Sequence, residues 1–200
     1  MSLSHSVDFF ERQFQRQLRE QEHTLNPFEE AALPWLRGRV LDYGCGLGQL
    51  SLAAARRGCE VLALDASATA IAHLRQVAQD EGLAIDAREA ELSAYQLHDD
   101  FDSVVCIGLL MFLDCDSALH QLTQLQQRLR PGGVMVLNVL VEGTSYLAMF
   151  DPQRHCLLTA QQLRERFAGW TLELFELSDF PAPGNTIKSF VTLIARKPSA

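Results

Sequence analysis

Positive charge is scarce in this sequence. Seventeen Lys and Arg stand against 25 Asp and Glu, a formal net charge of −8, whereas affinity for nucleic acid comes mainly from basic side chains that neutralise phosphates. The balance argues against a nucleic-acid partner and favours a small molecule. No stretch approaches the roughly 20 consecutive apolar residues of a membrane helix, and the first residues lack the basic start and continuous apolar run of a secretory signal. No membrane partner and a cytoplasmic location are therefore expected. The five cysteines, Cys45, Cys59, Cys106, Cys115 and Cys156, show no CxxC spacing, and a chain of 200 residues needs no disulfide staples, so reduced thiols are expected. Internal repeats and low-complexity tracts are missing too. What is left is an ordinary globular composition, 48% apolar and 21% charged, of a size suited to one α/β core.

From Val40 onward short apolar runs alternate with amphipathic segments, the sequence form of repeated βα units around a mostly parallel sheet. Strands are expected at Val40 to Asp42, Glu60 to Leu64, Ala84 to Ala90, Phe101 to Leu109 and Val134 to Val141. Ser67 caps a helix carrying Ile71, Leu74 and Ala78, ended by Gly82. Asp116 or Ser117 opens another, with Leu119, Leu122, Leu125 and Leu129 on one side, until Pro131, Gly132 and Gly133 turn the chain. Thr159 caps a short helix through Leu163 and Phe167. Two further runs, Thr171 to Leu177 and Ile187 to Arg196, have no helix between them. A short connection implies antiparallel pairing, so the sheet should end in an antiparallel hairpin.

The segment Asp42-Tyr43-Gly44-Cys45-Gly46-Leu47-Gly48 lies where a strand hands over to a helix. Glycines there permit backbone angles denied to other residues and let a ligand approach the main chain. Gly44, Gly46 and Gly48 alternate, unlike the nicotinamide fingerprint, and Asp42 just before them would repel a pyrophosphate but welcome a cation. S-adenosylmethionine, which carries an ammonium and a sulfonium, suits that acid. Asp65, followed by Ala66 at the end of the second strand, can accept from both ribose hydroxyls. Glu91 can accept from an adenine amino group while the amide of Leu92 donates to the ring; Glu89 is the competing acid.

With these motifs the sequence resembles class I S-adenosylmethionine-dependent methyltransferases over nearly all of Val40 to Lys197. Within that class it is most similar to the tellurite-resistance methyltransferases. The likeness lies in Leu110-Met111-Phe112-Leu113, Phe167-Ala168-Gly169-Trp170 and Gly184-Asn185-Thr186-Ile187-Lys188. The resemblance implies a Rossmann-like three-layer α/β sandwich over 40–200 with a seven-stranded sheet, preceded by a helical lid or cap segment at 1–39. It places Asp42, Gly44, Cys45, Gly46 and Gly48 around the methionine part of the cofactor, Asp65 at the ribose, and Glu91 with Leu92 at adenine. It also sets the backbone of Cys106, Ile107 and Gly108 along the methionine end. Cys45 reads as a small filler rather than a nucleophile.

Methyl transfer from a sulfonium can proceed by alignment and exclusion of water, so no catalytic base is assigned. The basic residues that the resembled family places at its hairpin for an oxyanion are replaced here by Ser178 through Thr186. The acceptor is expected to be a small molecule, such as a thiol or chalcogen species. Arg154, His155 and Lys188 are its polar candidates, and Met111 an apolar one. Phe10 and Phe14 belong to an amphipathic helix with Val7 and Leu18 that can cover the site. No metal is expected, since His155 and Cys156 have no further ligands near them. A non-catalytic cofactor-binding partner or sensor module and a protein or nucleic-acid methyltransferase are the rival readings, and either a monomer or a homodimer is compatible with the sequence.

Overall fold

The computed structural model describes residues 5–20 and 24–199. The expected lid segment therefore lies partly outside the described residues, at 1–4 and 21–23. Seven strands form one sheet: β1 (Arg39–Tyr43), β2 (Glu60–Asp65), β3 (Ile85–Glu89), β4 (Phe101–Ile107), β5 (Leu129–Leu140), β6 (Thr171–Ala182) and β7 (Thr186–Arg196). Their order is β3-β2-β1-β4-β5-β7-β6. β1 to β5 pair in parallel, and β7 runs antiparallel to both of its neighbours.

Both faces of the central strands are apolar because both are covered. Along β4, Val104 and Cys106 enter one core while Val105 enters the other. Helices α2 (Pro27–Ala32), α3 (Gln49–Arg56) and α4 (Ala68–Glu81) fill one side with Ala32, Leu50, Leu52, Ile71 and Leu74. Helices α5 (Cys115–Arg128) and α6 (Ala160–Arg166) fill the other with Leu122, Leu125 and Leu163. α1 (His5–Glu20) lies against the start of α4. α4 is capped by the hydroxyl of Ser67, and α6 by a reciprocal pair of bonds between Thr159 and Gln162.

Four expectations need correction. α5 opens at Cys115, because the Asp114 carboxylate accepts from the Ser117 amide at 2.9 Å and so is the cap. Pro131-Gly132-Gly133 does not separate helix from strand: β5 starts at Leu129, opposite Phe101, and the shift in register before Ser103 absorbs the irregular residues. The hairpin is longer than its hydrophobic pattern suggests. Ser178 to Ala182 continue β6 opposite Thr186 to Phe190, and Pro181 is tolerated because β6 is the sheet edge. Finally, Cys115 and Cys156 form a disulfide with Cα atoms 4.8 Å apart. The fold brings the start of α5 beside the loop after β5, a proximity that a separation of 41 residues conceals. Cys45, Cys59 and Cys106 are free and buried.

Candidate functional site

At the carboxyl ends of β1, β2 and β4 lies a cavity of about 490 Å³, the position where open α/β sheets bind ligands. Its geometry begins in β1. Asp42 and Tyr43 point to opposite faces, as successive strand residues must. Asp42 lines the cavity yet is only 5% exposed, and its carboxylate accepts from the Ser51 hydroxyl at 2.6 Å. Burial pushes its pKa up to about 7, reinforced by the charges of Glu29 and Asp65.

The glycine turn follows. The amides of Gly44 and Cys45 both donate to the Leu64 carbonyl, at 2.8 and 3.0 Å, which fastens the turn to β2. Gly48 is left-handed at φ +76, and a Cβ there would lie 2.6 Å from Leu74, so α3 can begin beside α4 only with glycine. Asp65 completes the turn from the next strand. One oxygen accepts from Gly46 N at 2.8 Å and the other from Ser67 N at 2.9 Å, while burial raises its pKa. The carboxylate retains acceptor capacity for a ligand.

Glu91 and Leu92 also line the cavity, in a loop held from beneath. The Tyr43 hydroxyl donates to the Leu92 carbonyl at 2.6 Å, and the Gln121 and Gln124 side-chain amides donate to the carbonyls of Ser93 and Tyr95. Glu89, the competing acid, belongs to β3 and is not among the cavity's lining residues. Ile107 and Gly108 line the cavity, whereas Cys106 is enclosed in β4 and does not. Cys45 does line it, and burial holds its thiol well above the usual range, as a neutral filler would be.

α1 forms one wall with Phe10 and Phe14. Its Glu11 carboxylate accepts from the Ser67 hydroxyl at 2.5 Å and from the Thr69 hydroxyl. Phe10 meets Phe112 edge to face at 4.9 Å. Met111 is buried at the cavity wall and Lys188 reaches it from β7, its ammonium 5.0 Å from the Tyr146 ring. The structure places the other two polar candidates elsewhere. Arg154 faces Asp114 at 3.8 Å, and His155 stacks on Phe150 with its Nδ1 3.0 Å from the Asp151 carbonyl. Neither lines the cavity.

Several wall residues escaped the sequence reading: Phe28, Glu29, Asn138, Tyr146, Met149 and Phe190. For Glu29 a signal was present. Asn26-Pro27-Phe28-Glu29 is a capping box, with the Asn26 side chain accepting from Glu29 N and the Glu29 carboxylate from Asn26 N. Among the described residues, no cluster of three or more His, Cys, Asp or Glu could hold a metal ion.

Comparison with known proteins agrees with this architecture. A protein-family model described as a methyltransferase domain matches residues 40–133. The chain is 28% identical over 166 residues to the probable S-adenosyl-L-methionine-dependent methyltransferase TehB of Haemophilus influenzae, covering 80% of this chain and 57% of that one. It is 35% identical over 120 residues to a ubiquinone biosynthesis O-methyltransferase of Cereibacter sphaeroides, covering 60% and 48%. The chain thus spans about half the length of the curated relatives it matches. The crystal structure of TehB from Haemophilus influenzae superposes with a TM-score of 0.73 at 21% identity, covering 87% of this chain and 62% of that one, a likeness of fold. Residues 40–133 thus match a methyltransferase-domain model, the fold is that of the TehB structure, and the chain is similar to TehB.

Proposed function

We propose that this chain binds S-adenosylmethionine in the cavity and transfers its methyl group to a small organic acceptor. The observation that carries the reading is the convergence of Asp42, the glycine turn, Asp65 and the Glu91 loop on one cavity. The donor set fits the cofactor. Asp42 suits its cationic end, the two oxygens of Asp65 suit the vicinal ribose hydroxyls, and Glu91 with the Leu92 amide suits adenine. Gly44, Cys45, Gly46, Gly48, Ala66, Ile107 and Gly108 supply close backbone. The cofactor supplies an electrophilic methyl group on a sulfonium.

The chain's own part is alignment and exclusion of water. Phe10, Phe14, Phe112 and Met111 wall the space beside the cofactor with apolar surface. α1 acts as a lid, fastened by Glu11 to the residues that follow Asp65. A small acceptor goes with this enclosure and with the net charge of −8. Among the described lining residues, Lys188 is the only Lys, Arg or His. A chalcogen oxyanion therefore finds one charge partner, while aromatic walls favour an organic molecule. No described helix is long and apolar enough to cross a membrane.

Calorimetric titration with S-adenosylmethionine and S-adenosylhomocysteine, on the native chain and on Asp65→Asn, tests the reading. Binding by the native chain, weakened at least tenfold in the variant, is expected. A folded native chain that binds neither compound would sink it.

A further inference from the structure

The far wall of the cavity carries polar groups that the cofactor reading leaves unused. Asn138 on β5 is 1% exposed and lines the cavity. Its Nδ2 donates to the Thr192 hydroxyl at 3.0 Å, but its buried Oδ1 has no partner among the described residues. A buried acceptor without a donor is costly, and such groups in native proteins call for a ligand or a functional explanation. Glu29, from α2, lines the same wall. Its carboxylate takes the Asn26 amide at 2.8 Å and faces no cation within ion-pair distance among the described residues.

Both acceptors line the cavity, and the sheet sets Asn138 apart from Asp42. The strand order runs β1-β4-β5-β7, and neighbouring strands lie about 4.8 Å apart, so β5 stands roughly 10 Å from β1. Phe28, the residue before Glu29, packs its ring 5.0 Å from Phe190 on β7. α2 therefore reaches over β7, while Glu29 is near enough to raise the Asp42 pKa. Asn138 lies on the strand between, paired with Thr192 of β7. Around these acceptors stand the aromatic rings of Phe28, Phe190 and Tyr146. The Lys188 ammonium lies 5.0 Å from the Tyr146 ring, the kind of aromatic surface that attracts a cation.

Resting on the methyltransferase reading and deepening it, we propose that this wall is the acceptor subsite and that it recognises an ammonium group carried by the acceptor, held by Glu29 and the Oδ1 of Asn138 against aromatic faces. An ammonium brings three donors and no acceptor, matching a wall whose unused groups accept, and aromatic faces attract cations. Lys188 is the one Lys, Arg or His among the described lining residues, and the Glu29 carboxylate balances it. A carboxylate or oxyanion would meet Glu29 and a second acceptor with Lys188 alone in its favour.

Calorimetry of the full chain with phenethylamine and 3-phenylpropionate, each with and without saturating S-adenosylhomocysteine, tests the assignment. Phenethylamine should bind at least tenfold more tightly than 3-phenylpropionate. Glu29→Gln, which keeps the acceptor for the Asn26 amide, and Asn138→Leu should each weaken the amine at least tenfold while leaving S-adenosylhomocysteine affinity within twofold. Should Asn138→Leu fail to fold, Glu29→Gln alone decides. Equal or tighter binding of the carboxylate would mean that the Asn138 amide turns its NH2 into the cavity, and would overturn the proposal. So would absent or unchanged amine binding. A loss of S-adenosylhomocysteine affinity in place of amine affinity would assign these acceptors to the cofactor and overturn it as well. Failure of S-adenosylhomocysteine to bind at all would refute the methyltransferase reading instead, and the titrations without it would still decide the amine site.

Discussion

The phenol of Tyr43 donates to the carbonyl of Leu92 across 2.6 Å, joining the end of β1 to the loop that walls the proposed adenine position. Its neighbour Asp42 points into the cavity from the opposite face of the same strand. In the proposed binding mode two adjacent residues serve the two ends of one elongated ligand. Tyr43 is fully buried, and burial holds its hydroxyl far above the usual phenol range, so it stays a donor.

Tyr43→Phe should therefore act on binding more than on fold. It removes one hydroxyl and leaves the Leu92 carbonyl without its donor, a loss of about 1–3 kcal/mol. Part of that loss should appear as lower thermal stability and part as several-fold weaker cofactor affinity through a loosened Glu91 loop. Hydrogen exchange of residues 91–95 reports the loosening directly. Unchanged exchange there would show that the Gln121 and Gln124 bonds hold the loop without Tyr43.

Asp42 yields a prediction with a sign. In the folded, ligand-free chain it keeps its proton to about pH 7, whereas its ordinary value is 3.8. Between those limits the native state holds the extra proton. Its contribution is therefore fully present below the ordinary value, is lost as pH rises through the window, and leaves a constant penalty above the folded pKa. Within the window, stability falls by about 1.4 kcal/mol for each pH step of about one. Asp42→Asn cannot ionise, so it should match the native chain in stability near pH 4 and exceed it at pH 8 (both roughly the ends of that window). The cofactor's cationic end favours the charged carboxylate, so affinity should rise with pH through about 7 in the native chain and stay weak and flat in Asp42→Asn. Thermal melts and calorimetry across that range check both. A variant less stable than the native chain at the alkaline end would refute the assigned ionisation.

What could be read from the sequence follows from where each signal resides. The glycine turn, Asp42 and Asp65 are local: a strand end, three glycines and an acid one strand later settle the geometry because β1 and β2 pair in register, with Tyr43 opposite Leu64. The closing hairpin was legible from a missing crossover helix. Its full length was not, because Ser178 to Ala182 lie on an edge strand whose half-exposed residues and Pro181 carry no alternating pattern. Arg154 and His155 were chosen as polar residues in a loop of the right region. Side-chain direction decided otherwise, since Asp114 and Phe150 take them up. Asn138 gave no sequence signal at all. One polar residue inside a buried strand becomes notable only when its partners can be counted.

Glu11 sets how α1 is held. Its carboxylate receives two hydroxyl donors, Ser67 and Thr69, at the start of α4, while Phe14 approaches Gly46 so closely that a Cβ there would lie 3.2 Å from the ring. Glu11→Ala removes both bonds and leaves the aromatic contacts. The helix should then undock more often, and limited proteolysis within residues 5–20 should speed up several-fold. Cofactor affinity should fall with it, since cover and cofactor share Ser67 and its neighbour Asp65. Proteolysis unchanged in the variant would mean that Phe10 and Phe14 alone secure the helix.

The Cys115–Cys156 disulfide makes a prediction that separates the acceptor wall from the cofactor end. Cys156 also donates its amide to the Met111 carbonyl at 3.0 Å, and Arg154 lies 3.8 Å from Asp114, the cap of α5. The loop that contributes Tyr146 and Met149 to the cavity is therefore tied to the segment running from Met111 into α5 by three different interactions. Closing a loop of this size is worth about 3–4 kcal/mol in the chain-entropy view. Treatment with a dithiol should lower the melting temperature and expose the Cys115 thiol to alkylation in the folded protein, while Cys156, Cys45, Cys59 and Cys106 stay protected by burial. Cys115→Ser should reproduce the lower melting temperature and become insensitive to the dithiol. Cofactor affinity should change less than twofold, because Asp42, Asp65 and Glu91 lie at the opposite end of the cavity from this loop. If reduction weakened the cofactor as strongly as it lowered stability, the loop and the glycine turn would have to move as one unit, and the division of the cavity into a cofactor end and a separately anchored acceptor wall would fall.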